Sequence, residues 1–297
     1  MIRLKISCPL FVVSSSENGL NEVICFPAMI TENELDKFLS AVSHNQIDRL
    51  IREEIALYTC QLLHKNTAGE LRPYASGVWI MLDGIHYLLT AGHVIEEWGD
   101  DHPLFVEVKG GYSSISGKGV ITDYEQTTRV DIACVRLLDT LVLLLQESYR
   151  FWNLDNLFNG TKLEIYNYFV YGFDEKHTDE QTLDATATAN FVKPLSEKVF
   201  NHYQLKPEFH YIVESRGEGL DLQTGDFKKA NIAPHGMCGG GLWYVDYVQH
   251  GATYVPSAYL IGILTEYRTG RYQCLIANRA HLIRDLIRNN PNEFLFP

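Results

Sequence analysis

Residues 78–94 of this chain read VWIMLDGIHYLLTAGHV. Two apolar runs flank the pair Asp83-Gly84, and both positions of an Asp-Gly turn accept a positive φ. The stretch therefore predicts a β-hairpin. Its second run ends in small residues followed by His93, and small residues let the backbone approach closely at a crowded site.

Further strand-like runs lie on both sides of this hairpin. The pattern predicts strands at 103–109, 117–123, 131–137, 162–171, 183–193, 208–214, 240–247, 257–265 and 272–277. A connection is predicted from Phe151 to Asn159 between two groups of short strands. This arrangement favours two small antiparallel β-barrels over a parallel sheet.

The two ends of the chain carry a helical period. Thr31 and Glu34 have capping-box spacing, and the apolar positions that follow predict a helical pair over residues 31–65. A C-terminal helix is predicted over 279–289. The predicted organisation is an N-terminal helical extension (1–70), a first barrel (71–158) and a second barrel with the C-terminal helix (159–297). The helical pair at residues 31–65 is either a packing extension or else a pro-segment or partner-docking element.

Composition narrows the function classes. The chain has 297 residues, is 46% hydrophobic and 21% charged, and carries a formal net charge of −12. Such a negative charge argues against a nucleic-acid binder and against docking on an anionic membrane. The six cysteines show no CxxC spacing, which argues against a zinc ribbon or a thioredoxin-type motif, and six cysteines in 297 residues are too few for a disulfide framework. With no signal peptide recognised, we expect a cytoplasmic location.

Two further local sequences carry chemistry. Asp131 opens the apolar run of residues 131–137, and a carboxylate there must be hydrogen-bonded or paired because burying it alone is costly. The loop of residues 236–241 reads GMCGGG, with glycines on both sides of Cys238. Glycine permits the tight backbone that aims consecutive N–H groups at one point, as an oxyanion hole requires.

The order of these three sequences resembles that of the chymotrypsin-like protease family. Residues 90–93 (TAGH) are similar to its T-A-x-H histidine motif, and residues 131–137 (DIACVRL) to its D-I-A-x-x-R-L aspartate motif. Residues 236–240 (GMCGG) are similar to its G-x-S-G-G nucleophile motif. Residues 260–265 (LIGILT) are similar to the L-V-G-I-x-S strand that lines its substrate cleft. The resemblance covers about residues 72–288.

The chain also departs from the family. A cysteine replaces the usual serine, as in picornaviral processing proteases, and Val94 follows the histidine where secreted members carry a disulfide cysteine. Leu264 stands where the viral enzymes use a histidine to bind glutamine, so glutamine specificity is not expected. The context of the loop and the C-terminal helix is more similar to bacterial intracellular trypsin-like peptidases.

The resemblance implies roles for individual residues. Cys238 would be the nucleophile, His93 the general base and Asp131 the group that orients His93. The backbone N–H groups of Gly236 and Cys238 would form the oxyanion hole. The substrate would be a protein or peptide, and no metal or other cofactor is implied.

Four residues are expected around the pocket for the substrate side chain. By family position Ile232 lies near its base, with Thr265, Glu266 and Tyr267 along its wall. An apolar base favours an apolar or small side chain, whereas Glu266 could instead select a basic one.

Two other interpretations stay open. One is a catalytically inactive protease-fold protein that binds a partner through the cleft, although an intact His93, Asp131 and glycine loop weigh against it. The other is an enzyme held latent by residues 1–70 or by an activating partner.

Overall fold

The predicted hairpin lies at the centre of the first sheet. The computed structural model describes residues 46–96, 98, 102–122, 128–156, 168–179, 182–183, 185–220, 227–232, 235–250 and 253–291. Strands β2 (Leu71–Leu82) and β3 (Ile85–Ala91) pair in antiparallel register. The turn between these strands consists of Asp83 (φ 52°) and Gly84 (φ 76°), and both have the positive φ that an Asp-Gly turn requires. The hairpin prediction is confirmed.

The other strands of the first sheet lie on both sides of this hairpin. They are β1 (Thr59–Lys65), β4 (Leu104–Val108), β5 (Gly111–Ser114), β6 (Gly117–Ile121), β7 (Ile132–Leu137) and the short β8 (Trp152–Asn153). Among the described residues the strand order is β5-β4-β1-β2-β3-β7-β6, and β8 pairs with β2.

The second sheet is built from the C-terminal part of the chain. Its strands are β9 (Tyr168–Thr178), β10 (Ala185–Val192), β11 (His210–Glu214), β12 (Arg216–Leu220), β13 (Phe227–Asn231), β14 (Gly241–His250), β15 (Thr253–Arg268) and β16 (Cys274–Arg279). Their order within the described residues is β11-β16-β15-β14-β9-β10-β12-β13. The two antiparallel sheets form two half-barrels, which confirms the predicted mainly-β class.

Short helices complete the described architecture. They are α1 (Gly92–Ile95), α2 (Asp139–Leu145), α3 (Glu197–Tyr203) and α4 (Ala280–Asn289). Helix α4 confirms the predicted C-terminal helix, and Ile283 and Ile287 on one face are buried. No helix of the described residues is both long and apolar enough to cross a membrane.

The N-terminal prediction needs a correction. A π-helical turn (Ile51–Ile55) and a helical turn (Ala56–Tyr58) are present, but residues 59–65, predicted as helix, form strand β1. This strand pairs along its length with β2, and that pairing outweighs the helical spacing of its apolar residues. The first sheet therefore begins before residue 71. The predicted helix at residues 31–42 lies outside the described residues.

An apolar core joins the two sheets. One cluster of buried side chains takes Val78, Leu89 and Ile132 from the first sheet and Phe169 and Trp243 from the second. Separate clusters fill the inside of each half-barrel. Residues from the two halves can therefore meet at a fixed seam between the sheets.

Candidate active site

Strand register brings His93 and Asp131 together. Ala91, the last residue of β3, is the Cα partner of Ile132, the first residue of β7. His93 follows in the first turn of α1, while Asp131 immediately precedes β7. The Gly92 N–H donates to the Asp131 carbonyl oxygen (3.1 Å), which extends the pairing by one residue.

Both oxygens of the Asp131 carboxylate are used by His93. Oδ2 lies 2.7 Å from Nδ1 of the imidazole, and Oδ1 accepts the backbone N–H of His93 at 3.0 Å. A Cβ at Gly92 would collide with Oδ1, so this carboxylate position requires the glycine. The arrangement fixes the ring orientation and leaves Nε2 as the free ring nitrogen.

Electrostatics favour the protonated form of His93. The hydrogen bond to Asp131 is the largest cause, and the interaction with the adjacent Cys238 side chain is the second. Together they outweigh the effect of partial burial and raise the pKa of His93 to about 10. An imidazolium is therefore the dominant form at neutral pH.

Cys238 reaches the seam from the second half of the chain. It lies in the loop before β14, is partly buried, and packs against the apolar cluster of the first half-barrel. Its Sγ is 3.7 Å from the Thr265 carbonyl oxygen. Gly236 and Gly239 both have φ +87°, so the loop uses backbone conformations that favour glycine.

The carbonyl groups of this loop are turned into the protein. Gly236 O accepts from the Ser76 hydroxyl (2.8 Å), Met237 O from the Gly240 N–H (2.9 Å) and Cys238 O from the Ser76 N–H (2.8 Å). In a trans peptide the C=O and the N–H point in opposite directions, so the Cys238 N–H is turned away from the loop interior. Within the described residues neither the Gly236 N–H nor the Cys238 N–H donates a hydrogen bond. Both groups are open donors.

The four predicted pocket residues differ in their surroundings. Ile232 is buried in the apolar cluster of the second half-barrel, which also contains Met237. Thr265 turns its carbonyl toward Cys238 and its hydroxyl toward the Ile276 carbonyl (3.5 Å). Glu266 forms an ion pair with Arg268 at 2.5 Å. Tyr267 packs against the apolar cluster of the second half-barrel.

Sequence reasoning missed two buried polar residues at the site. Ser76 on β2 and Asn278 on β16 are both fully buried, and Asn278 accepts the Asp131 backbone N–H through Oδ1 at 3.0 Å. Each is a polar residue within an otherwise apolar strand segment. A polar residue in such a segment is expected to be buried and therefore to need a hydrogen-bond partner, and this is the sequence signal that could have identified both residues.

Metal binding has no support in the described part of the chain. No group of three or more His, Cys, Asp or Glu residues there is arranged to hold an ion. The site is an imidazole, a carboxylate, a thiol and a set of backbone donors.

Comparison with known proteins identifies the fold. No family model matches the sequence, and no curated protein matches it. Among solved structures, that of GrC matches with a TM-score of 0.50 and 14% identity, covering 79% of this chain and 94% of that one. The fold is chymotrypsin-like. Human heparin binding protein matches with a TM-score of 0.47 and 15% identity, covering 79% of this chain and 91% of that one.

Proposed function

We propose that this chain is a cysteine endopeptidase that hydrolyses peptide bonds in a protein or peptide substrate. Cys238 is the nucleophile, His93 the acid and base, and Asp131 the residue that orients His93. One observation carries the proposal: the His93 imidazole is hydrogen-bonded to Asp131 and interacts with the adjacent Cys238 side chain in a chymotrypsin-like fold.

Acylation follows from this arrangement. The Cys238 thiolate attacks the substrate carbonyl carbon, a C–S bond forms, and the carbonyl oxygen becomes an oxyanion. The Gly236 and Cys238 N–H groups stabilise that charge. The His93 imidazolium then gives its proton to the amide nitrogen, the C–N bond breaks and the amine product leaves.

Deacylation returns the enzyme to its starting state. Neutral His93 takes a proton from water, and the resulting hydroxide attacks the thioester carbonyl. The C–S bond breaks, the carboxylic acid product leaves, and the thiolate and imidazolium form again. No step requires a cofactor.

The contacts around Glu266 favour an apolar or small substrate side chain. The carboxylate is paired with Arg268, so its charge is offset and offers little to a basic side chain. Ile232 contributes apolar surface at the proposed base of the pocket. The primary pocket, as proposed, is formed by Ile232, Thr265, Glu266 and Tyr267.

The cellular setting is part of the proposal. Because Val94 stands where secreted family members carry a disulfide cysteine, we assign the enzyme to the cytoplasm and to the bacterial intracellular type. Residues 59–65 join residues 71–158 in the first domain, and residues 159–297 form the second. An activating partner, or the N-terminal residues, would keep such a protease latent.

Alkylation by iodoacetamide tests whether His93 activates the Cys238 thiol. Burial raises the pKa of the Cys60 and Cys134 thiols well above the usual range and that of Cys274 to about 11, so these three should react slowly. Replacing Cys8 and Cys25, which lie outside the described residues, with serine leaves Cys238 as the reactive thiol. At pH 7 its alkylation should be faster than in His93→Ala, because the protonated His93 imidazole interacts with the thiol and favours its reactive form.

The matched activity variant is Cys238→Ala, which should abolish cleavage of a casein substrate. Intact-mass spectrometry measures the alkylation in each variant. An alkylation profile of the parent that matches His93→Ala would contradict the proposal and favour an inactive, partner-binding protein. Cleavage retained by purified Cys238→Ala would contradict it as well.

A further inference from the structure

Ser76 is a hydrogen-bonding centre between the two halves of the site. It is fully buried on β2 of the first sheet, yet two of its groups bond the nucleophile loop. Its N–H donates to Cys238 O and its hydroxyl donates to Gly236 O, both at 2.8 Å.

The remaining polar groups of Ser76 are also engaged. Its Oγ accepts the Phe173 N–H from β9 at 2.9 Å, and its carbonyl accepts the Thr90 hydroxyl at 2.9 Å. Oγ also lies 3.4 Å from the Phe173 carbonyl oxygen, and the shorter contact of 2.8 Å makes Gly236 O the favoured acceptor of the hydroxyl hydrogen.

The two loop bonds lie on either side of one peptide group. Gly236 O belongs to the 236–237 peptide and Cys238 O to the 238–239 peptide. Between them is the 237–238 peptide, which carries the Cys238 N–H. Holding both neighbouring peptide planes restricts the rotation of the plane between them, and the hydroxyl also fixes ψ of Gly236.

The surroundings leave little room for the loop to move. A Cβ at Gly239 would collide with the Ser76 carbonyl and the Thr90 hydroxyl, and a Cβ at Gly172 would lie 3.0 Å from Ser76 Oγ. Two glycines thus bring separate backbone segments close to this one serine.

From these contacts we infer that the Ser76 hydroxyl is a positioning group for the oxyanion hole. It acts through Gly236 and the loop peptides, touches no substrate atom, and holds the Gly236 and Cys238 N–H groups in the orientation that an oxyanion needs. This inference rests on the proposed peptidase function.

Two reactions of the same thiol separate this role from a general structural one. Acylation by p-nitrophenyl acetate creates an oxyanion and needs the hole. Alkylation by iodoacetamide expels iodide and places no charge on a carbonyl oxygen. Ser76→Ala should slow Cys238 acylation roughly tenfold to hundredfold, after subtraction of the Cys238→Ala rate. Its alkylation rate should stay within about twofold of wild type, because His93 and Asp131 are untouched.

Three further variants act as controls. Ser76→Thr keeps a hydroxyl and should recover most of the acylation rate, and Ser76→Gly gives a second hydroxyl-free variant with no added bulk. Thr59→Val removes another buried hydroxyl, which donates to the Ile55 carbonyl at 3.3 Å on β1, and should leave both reactions unchanged.

The outcomes separate the inference from the function on which it rests. If wild type and the hydroxyl-free variants are acylated equally fast, the positioning role of Ser76 is overturned, while the proposed peptidase function stands. A parallel loss of acylation and alkylation would also overturn it, in favour of a general structural role. A wild-type Cys238 that is not acylated at all would overturn the peptidase function and this inference together.

Discussion

A single ion pair decides which charge the proposed substrate pocket presents. Glu266 and Arg268 stand two positions apart on β15, and their side chains are 37% and 36% exposed. Arg268 also lies over the ring of Tyr203, with 6.0 Å from the guanidinium carbon to the centroid. The arginine is therefore held beside the carboxylate, and the pair has no net charge.

Removing Arg268 should alter the preference for the substrate side chain. In Arg268→Gln the Glu266 carboxylate loses its partner, so peptidyl fluoromethyl ketones ending in arginine should gain about two- to fivefold relative to those ending in leucine. The ratio of the two inactivation rates measures this change. Arg271→Gln is the matched control, because Arg271 stacks on Tyr272 and forms no ion pair with Glu266 among the described contacts. An unchanged ratio in Arg268→Gln would place Glu266 outside the pocket.

At the scale of elements, each half of the chain holds a part of the site that belongs to the other half. Ser76 on β2 of the first sheet holds the Cys238 loop, whereas Asn278 on β16 of the second sheet holds the backbone of Asp131. Each half of the chain thus carries catalytic candidates that the other half positions. The orientation of the site depends on how β2, β7 and β16 pack.

Truncating the Asn278 amide should affect both stability and the site. Asn278→Ala leaves the Asp131 N–H without its partner, which should lower the free energy of unfolding by about 1–3 kcal/mol. It should also slow the His93-dependent alkylation of Cys238 at pH 7. Urea unfolding and intact-mass alkylation measure the two effects. Asn190→Ala, at a position 4% exposed on β10, is the control and should leave alkylation unchanged. Equal alkylation in both variants would contradict a role for Asn278 in holding Asp131.

The elements also show which features could be predicted from sequence. The Asp83-Gly84 hairpin and most strands depend on local patterns, so they were predicted near their observed bounds. Strand β1 was missed because Ile55, Tyr58 and Leu62 follow a helical spacing. Its pairing with β2 makes residues 59–65 a strand despite that spacing. Strand β12 was missed because Gly217 and Gly219 give it a low β propensity.

The positioning residues were missed for a different reason. Ser76 lies 160 positions before Gly236, and Asn278 lies 147 positions after Asp131. A local motif contains no information about a partner at such a distance. His93, Asp131 and Cys238 each stand in a local motif of their own, so the sequence predicts them as a set. Their catalytic roles stay predictions until the thiol chemistry is measured.

On the scale of the whole molecule, the N-terminal helical turns stabilise the seam. Ile51 and Ile55 are buried in the shared core, which favours a packing role for this part of the predicted extension. Tyr58 lies 5.6 Å from Trp152 and 6.3 Å from Trp243, measured between ring centroids. Such aromatic contacts join residues before the first sheet to both sheets. Global unfolding should therefore separate His93 and Asp131 from Cys238.

This coupling predicts how stability depends on pH. The folded pKa of His93 is about 10, against about 6.5 in an unfolded chain. Below pH 6.5 His93 is protonated in both states, and the full stabilisation by Asp131 and Cys238 is present. As the pH rises from about 6.5 through about 10, the unfolded state loses its proton first and this stabilisation is lost.

The measurement is the difference in free energy of unfolding between wild type and His93→Gln. Buried thiols and tyrosines also have raised pKa values, but both proteins share them, so the difference isolates His93. It should be largest near pH 6 and should shrink steadily toward pH 10. Urea unfolding at several pH values gives this curve. A difference that stays flat or grows over that range would mean that the folded protein does not hold His93 as an imidazolium, and the ion pair would then be ruled out as the source of thiolate reactivity.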